Sequence, residues 1–291
     1  MLRIALPNKG RLADETRELF NDAGLDVQIR NERALTASLG GVFEAIFVRA
    51  QDIPEFVADG AADAGITGWD LICESGRELQ SLSDLGLGKC RLAVAATDES
   101  GIRSLADIPP GRRVATSFPR ATARYFEQAA IDIQLVPVSG AAEIAPHLGI
   151  ADIIVDLVST GSTLRVNGLS EVATIFESSA RLVVARDQNP ENGVRTERGE
   201  AIGDLVSALE SVIRARGQRY VMANVPRDRL EDVRKVLPGL NGPTVTDIMN
   251  GGRFVAVHAV VPAAGIYRTL RELRAIGGEG MLVSRIERLV P

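Results

Sequence analysis

Short apolar runs and amphipathic helical stretches take turns from the first residues of the 291-residue chain onward. LRIAL (residues 2–6) reads as a strand that ends at Pro7, Asn8, Lys9 and Gly10. Leu12, Thr16, Leu19, Phe20 and Ala23 then recur at helical spacing, and Gly24 stops the helix. EAIFVR (44–49) repeats the strand pattern, and DIPEFVADGAAD (52–63) predicts a helix with Pro54 in its first turn. AGITGWDLI (64–72) predicts a strand leading into another helix. This alternation defines an α/β chain with a largely parallel sheet and binding sites at the carboxyl ends of its strands.

A second unit follows the same rule. CRLAVAA (90–96), RRVAT, IQLVPV and ADIIVDLV (151–158) predict strands, with TARYFEQAAI and AAEIAPHLGI as helices. SSARLVVAR (178–186) resembles RLAVAA in composition and length, so the chain is expected to cross back there to the first unit. Two crossings make two lobes around a cleft, as in periplasmic binding proteins: lobe I from residues 1–89 and 178–216, lobe II from 90–177. DQNPENG (187–193) is turn-rich, and residues 197–216 form one amphipathic helix. Residues 217–291 read as a separate ferredoxin-like βαββαβ domain, with a tight Asn250-Gly251-Gly252 turn between its middle strands.

Lys and Arg total 33 against 38 Asp and Glu, a net charge of -5, which argues against a nucleic-acid coat or a polybasic membrane anchor. Cys73 and Cys90 make no disulfide framework, and with only His147 and His258 an all-protein zinc site is not expected. The first apolar run is too short for a signal peptide and is broken by Pro7, and no long apolar stretch follows. A cytoplasmic protein is expected.

The stretch from Ala151 to Leu164, ADIIVDLVSTGSTL, carries the chemistry. An apolar strand delivers Asp152 and Asp156, and a loop of Ser159, Thr160, Gly161, Ser162 and Thr163 follows. Gly161 lets the backbone wrap an anion, while N–H groups and hydroxyls donate to phosphate oxygens. A helix starting after the loop would add positive potential. An acidic side chain ahead of such a loop suits the 2′- and 3′-hydroxyls of a ribose, so the stretch reads as a ribose-5-phosphate site. The other reading is a strand that ends in a Ser or Thr helix cap. Asp152 and Asp156 share a strand face, and Asp156 is favoured because it directly precedes the loop.

The stretch resembles the 5-phosphoribosyl-1-pyrophosphate (PRPP) pattern of phosphoribosyltransferases. With PNKGRL at residues 7–12 and AGITGWDLI at 64–72, the whole chain resembles the long form of the ATP phosphoribosyltransferase family. The resemblance implies transfer of phosphoribosyl from PRPP to N1 of ATP with release of pyrophosphate, the first step of histidine biosynthesis. It also implies Mg2+ bridging phosphate oxygens, with no protein ligands to the metal assigned. Feedback inhibition by L-histidine on a homohexamer built from dimers is implied as well. Lys9, Arg11 and Arg49, at strand ends, are expected to meet pyrophosphate or ATP phosphates; as bare residues they also fit solvated loops. By resemblance Trp69, Asp70 and Leu71 contact the nucleotide, although Asp70 also fits a helix start and Trp69 a core position. Glu143 either caps a helix or faces the cleft, where it is expected to contact the nucleotide. Asn224, Thr244 and Asp247 lie near strand ends where they suit an amino-acid effector or cap turns. A two-lobed solute-binding protein is the competing class, and the absence of a long leader and the STGST loop weigh against it.

Overall fold

The structure is a computed structural model that describes residues 1–28, 34–186, 196–249 and 252–290. The DQNPENG segment and the Asn250-Gly251 step lie outside the described residues. Two compact units are present, Met1–Val206 and Ser207–Pro291.

The first unit opens with β1 (Leu2–Pro7), α1 (Arg11–Asp22), β2 (Val27–Gln28), β3 (Thr36–Leu39), β4 (Phe43–Val48), α2 (Ile53–Ala58), β5 (Ala64–Gly68), α3 (Trp69–Ser75) and β6 (Leu79–Asp84). The chain then passes to β7 (Cys90–Thr97), β8 (Arg112–Thr116), α4 (Pro119–Gln128), β9 (Ile133–Pro137), β10 (Ile153–Val158), α5 (Ser162–Val166) and β11 (Leu169–Ser178). It returns at β12 (Ala180–Ala185) and leaves through α6 (Glu197–Arg216).

Among the described residues these strands form two sheets, ordered β2-β3-β4-β1-β5-β12-β6 and β11-β7-β10-β8-β9. The expected parallel arrangement holds only for β4-β1-β5, at the centre of the first sheet, and for β10-β8-β9, from the centre of the second sheet to its edge. β12 and β7 run antiparallel to their neighbours, because each arrives by a crossing from the other sheet rather than through a helical crossover. The two crossings bind each other: Leu85 N–H donates to Ala180 O at 3.0 Å and Ala180 N–H to Leu87 O at 2.9 Å.

Packing explains two of the glycines in GITG. A Cβ on Gly65 would come within 2.5 Å of Ile53 Cγ2 and 2.8 Å of Val57 Cγ2, so α2 can lie against β5 only over a glycine. A Cβ on Gly68 would sit 2.3 Å from Asp70 Oδ1.

AAEIAPHLGI is not the helix its composition predicts. Only Ala142–Ile144 forms a 3-10 turn, preceded by Ala141 at φ +50°. Pro146 has no N–H to continue the helical ladder, so the turn does not grow into a regular helix even though Ala145 before it keeps helical angles of φ −58° and ψ −39°.

The second unit contains β13 (Gln218–Pro226), α7 (Leu230–Val236), β14 (Thr244–Asp247), β15 (Phe254–Pro262), α8 (Ile266–Ala275) and β16 (Glu279–Arg285). The sheet order β14-β15-β13-β16 with antiparallel neighbours is the ferredoxin-like topology. Alternate residues Val221, Ala223, Val225, Val255 and Val257 are buried in a core with Val233 and Leu273 of the two helices. Among the described residues no helix is long and apolar enough to cross a membrane.

Candidate active site

β10 is apolar at Ile153, Ile154 and Val155, all fully buried, and its next residue, Asp156, is half-buried at the mouth of a cavity. The cavity, about 400 Å³, is lined by Ala141, Glu143, Asp156 and the following loop through Leu164. Glu143 therefore faces the cavity rather than capping a long helix. Burial pushes the Asp156 carboxyl above its ordinary range, the Glu143 charge adds to the rise, and the Leu157 N–H bond at 2.8 Å opposes it.

The loop turns at Gly161, φ +73°, a left-handed conformation that glycine adopts without strain. Thr160 Oγ1 and Ser162 Oγ lie 3.0 Å apart, so two hydroxyls converge. Among the described residues, the N–H groups of Thr160, Gly161 and Thr163 have no protein acceptor. Because α5 is only five residues long, its dipole adds little beside these N–H donors.

Asp152 requires a correction. It precedes β10 at the end of the strand away from the loop, roughly 13 Å along an extended chain from Asp156. Its Oδ2 accepts from Arg113 N–H at 3.0 Å and its Oδ1 from Arg112 at 3.3 Å. Sharing a strand face did not bring it to the cavity.

Lys9, Arg11 and Arg49 are exposed at the ends of β1 and β4 and do not line that cavity. Arg11 Nε donates to Glu15 Oε1 at 2.6 Å, and Glu15 in turn accepts from Gly88 N–H, so Arg11 is already held by its own helix. Asp70 is buried where the lobes join: Ser178 Oγ donates to its Oδ1 at 2.5 Å, and its own N–H donates to Ser178 Oγ at 3.0 Å. Burial raises its carboxyl above the usual range, opposed by the Ser178 bond. Trp69 is half-buried with the Arg181 guanidinium 5.6 Å from its ring centre. Leu71 packs against the core of the second sheet, a structural contact where the resemblance implied a nucleotide.

In the second unit, cross-strand register places Asn224 opposite Ala256 and Thr244 opposite His258, on the sheet face away from the helices. Asp247 is opposite the buried Val255, on the other face, and is ion-paired with Arg227. The three proposed effector residues therefore do not share a face.

The chain matches known proteins along its whole length. The family model described as ATP phosphoribosyltransferase matches residues 49–211, and one described as the HisG C-terminal domain matches 215–288. The chain belongs to the ATP phosphoribosyltransferase family. An ATP phosphoribosyltransferase of Gemmatimonas aurantiaca is 68% identical with both chains fully covered. That of Halobacterium salinarum is 46% identical over 99% of this chain and all of the relative. A solved ATP phosphoribosyl transferase (HisG:HisZ) complex from Thermotoga maritima aligns with TM-score 0.63 and 29% identity, covering 74% of this chain and 99% of that one. These matches do not favour the solute-binding alternative.

The ATP phosphoribosyltransferase family generally uses a divalent metal. In this phosphoribosyltransferase chain, sequence reasoning missed Arg91, Arg165 and Ser178. Arg91 reaches Ser159 O and Arg165 reaches Thr160 O, both at 3.3 Å. Arg91 lies 68 residues from the carbonyl it contacts, beyond any local motif. Arg165, two residues beyond the STGST motif, was within reach of a motif-based search.

Proposed function

We propose that the chain transfers the 5-phosphoribosyl group of PRPP to N1 of ATP and releases pyrophosphate, the first step of histidine biosynthesis. One observation supports the placement: an acidic pair, Glu143 and Asp156, borders a loop whose Thr160, Gly161 and Thr163 N–H groups have no protein acceptor among the described residues. Asp156 takes the ribose hydroxyls. Ser159, Thr160, Gly161, Ser162 and Thr163 hold the 5-phosphate, while Lys9, Arg11 and Arg49 supply positive charge for pyrophosphate or ATP phosphates. Adenine N1 carries a free lone pair, so no strong base is required; the protein aligns two polyanions and compensates charge on the leaving group.

Among the described residues no three His, Cys, Asp or Glu side chains group as a metal cage. Two carboxylates that line one cavity, Asp156 pushed up by burial and further by the Glu143 charge, fit a cation shared with substrate phosphates. Glu143 is the protein ligand this arrangement leaves for Mg2+, which when bound offsets charge on pyrophosphate. The ferredoxin-like unit binds L-histidine as an inhibitor and supports a hexameric assembly, with Asn224 and Thr244 as effector contacts.

Pyrophosphate release measured with ATP and PRPP together, and with each alone, tests the reaction. Release only when both are present is expected. No release above either control overturns the assignment.

A further inference from the structure

The phosphate loop is gripped from behind. Arg91, on β7, is directly opposite Val158, the last residue of β10, and its Nη1 donates to Ser159 O at 3.3 Å. The rest of the guanidinium forks onto Glu171 of β11: Nε contacts the two carboxylate oxygens at 2.9 and 3.0 Å, and Nη2 donates to Oε2 at 2.6 Å. Thr174 Oγ1 donates to Glu171 Oε1 at 2.8 Å and fixes the carboxylate in turn. Between Arg91 and Ala95, the residue opposite Glu171, the same face of β7 carries only Ala93. These short side chains leave room for the two long ones to meet over the sheet. A second guanidinium holds the next carbonyl: Arg165 Nη1 donates to Thr160 O at 3.3 Å. Gly161 also suits this approach, since a Cβ there would come within 3.3 Å of that nitrogen.

A planar trans peptide points its C=O and its N–H in opposite directions. Ser159 O and Thr160 N–H belong to one peptide plane, and Thr160 O and Gly161 N–H to the next. Holding the two carbonyls on arginines therefore aims the two N–H groups the other way, and these are among the groups that lack a protein acceptor. A cation on the carbonyl side also polarises each peptide and strengthens its N–H as a donor.

We propose that Arg91, locked by Glu171 and assisted by Arg165, is a positioning residue that aims the Thr160 and Gly161 N–H groups at the 5-phosphate of PRPP. The inference rests on the assignment of this loop to PRPP. Arg91 does not touch the substrate; its charge is already committed to Glu171, with 27% exposure on each side chain.

The test is steady-state kinetics of the full-length enzyme, with PRPP and ATP varied in turn, alongside thermal melting. Arg91→Lys keeps the charge but cannot hold a carboxylate in a fork and a carbonyl together. Glu171→Gln keeps the bulk and weakens the lock, so it serves if the Lys variant does not fold. Each is expected to raise the PRPP KM about 5–10-fold, with the ATP KM within about twofold and kcat near that of the parent. Thr163→Val, on the substrate side of the loop, is the reference for the underlying assignment. If it raises the PRPP KM while the Arg91 and Glu171 variants only lower the melting temperature, or shift both KM values equally, the positioning role is overturned. If Thr163→Val leaves the PRPP KM unchanged, the loop assignment falls and the inference with it.

Discussion

Burial and the Glu143 charge both oppose ionisation of Asp156 and hold its carboxyl above the ordinary range. A carboxyl raised above its unfolded value binds protons more tightly in the native state. Stability contributed by this group is therefore greatest at low pH and falls as pH rises from about 4 through the raised value. Asp156→Asn should raise the melting temperature at pH 7 relative to the parent and lose that advantage near about pH 4, while PRPP turnover collapses. Paired melts at the two pH values check this, and a variant less stable than the parent at pH 7 refutes it. Thr160→Val should cost about 1–3 kcal/mol of PRPP binding with little change for ATP, read by calorimetric titration of each substrate. Equal losses for both would remove Thr160 from the 5-phosphate. These residues were legible because their chemistry is local, acid then hydroxyl-rich loop. Asp152 was misplaced because strand periodicity reports which side a residue faces and not which end it occupies.

Among the elements, α4 shows what a sequence pattern leaves out. Phe118 at its N-cap offers no capping side chain, and Pro119 follows. The cap comes from α3: Glu74 accepts from Arg120 N–H at 3.1 Å and from Ala121 N–H at 3.0 Å, while Arg120 returns a bond to Ser75 O. Glu74→Ala should destabilise the chain by about 0.5–2 kcal/mol in urea unfolding, and Glu74→Gln by less. No change for either would mean that solvent caps α4 equally well. Strands β1, β4, β5 and β10 were readable from apolar runs bounded by turn residues. β11 was not, because register shifts between Glu171 and Ala173 and between Thr174 and Phe176 destroy the period of two.

Across the whole chain, the division into units falls at Val206 and Ser207, inside α6. Ile202 and Leu205 on one side and Leu209 and Val212 on the other are all buried at the same helical spacing. The apolar period runs through the boundary unchanged, so no sequence signal marks it. The mixed sheets were hidden for a related reason: a strand's apolar pattern does not record the direction of its neighbour.

This division decides how histidine inhibition is best tested. Cutting the chain at residue 217 would leave Leu209, Val212 and Ala215, all buried, without the unit to which they belong. Point changes in the full-length chain avoid that. An effector shifts activity only by binding one arrangement better than another, so weakening its contacts should raise the inhibitory concentration without changing the uninhibited rate. Asn224 and Thr244 lie on the open face of the four-stranded sheet, Thr244 directly opposite His258, whose ring bonds the Tyr220 hydroxyl at 2.6 Å. Asp247 is on the other face and already paired with Arg227. Asn224→Ala and Thr244→Val should each raise the histidine concentration for half-inhibition about tenfold or more, whereas Asp247→Asn should shift it less than about threefold. Pyrophosphate release across a histidine series reads all three. If Asp247→Asn relieves inhibition as strongly as the other two, the effector does not sit on the open face.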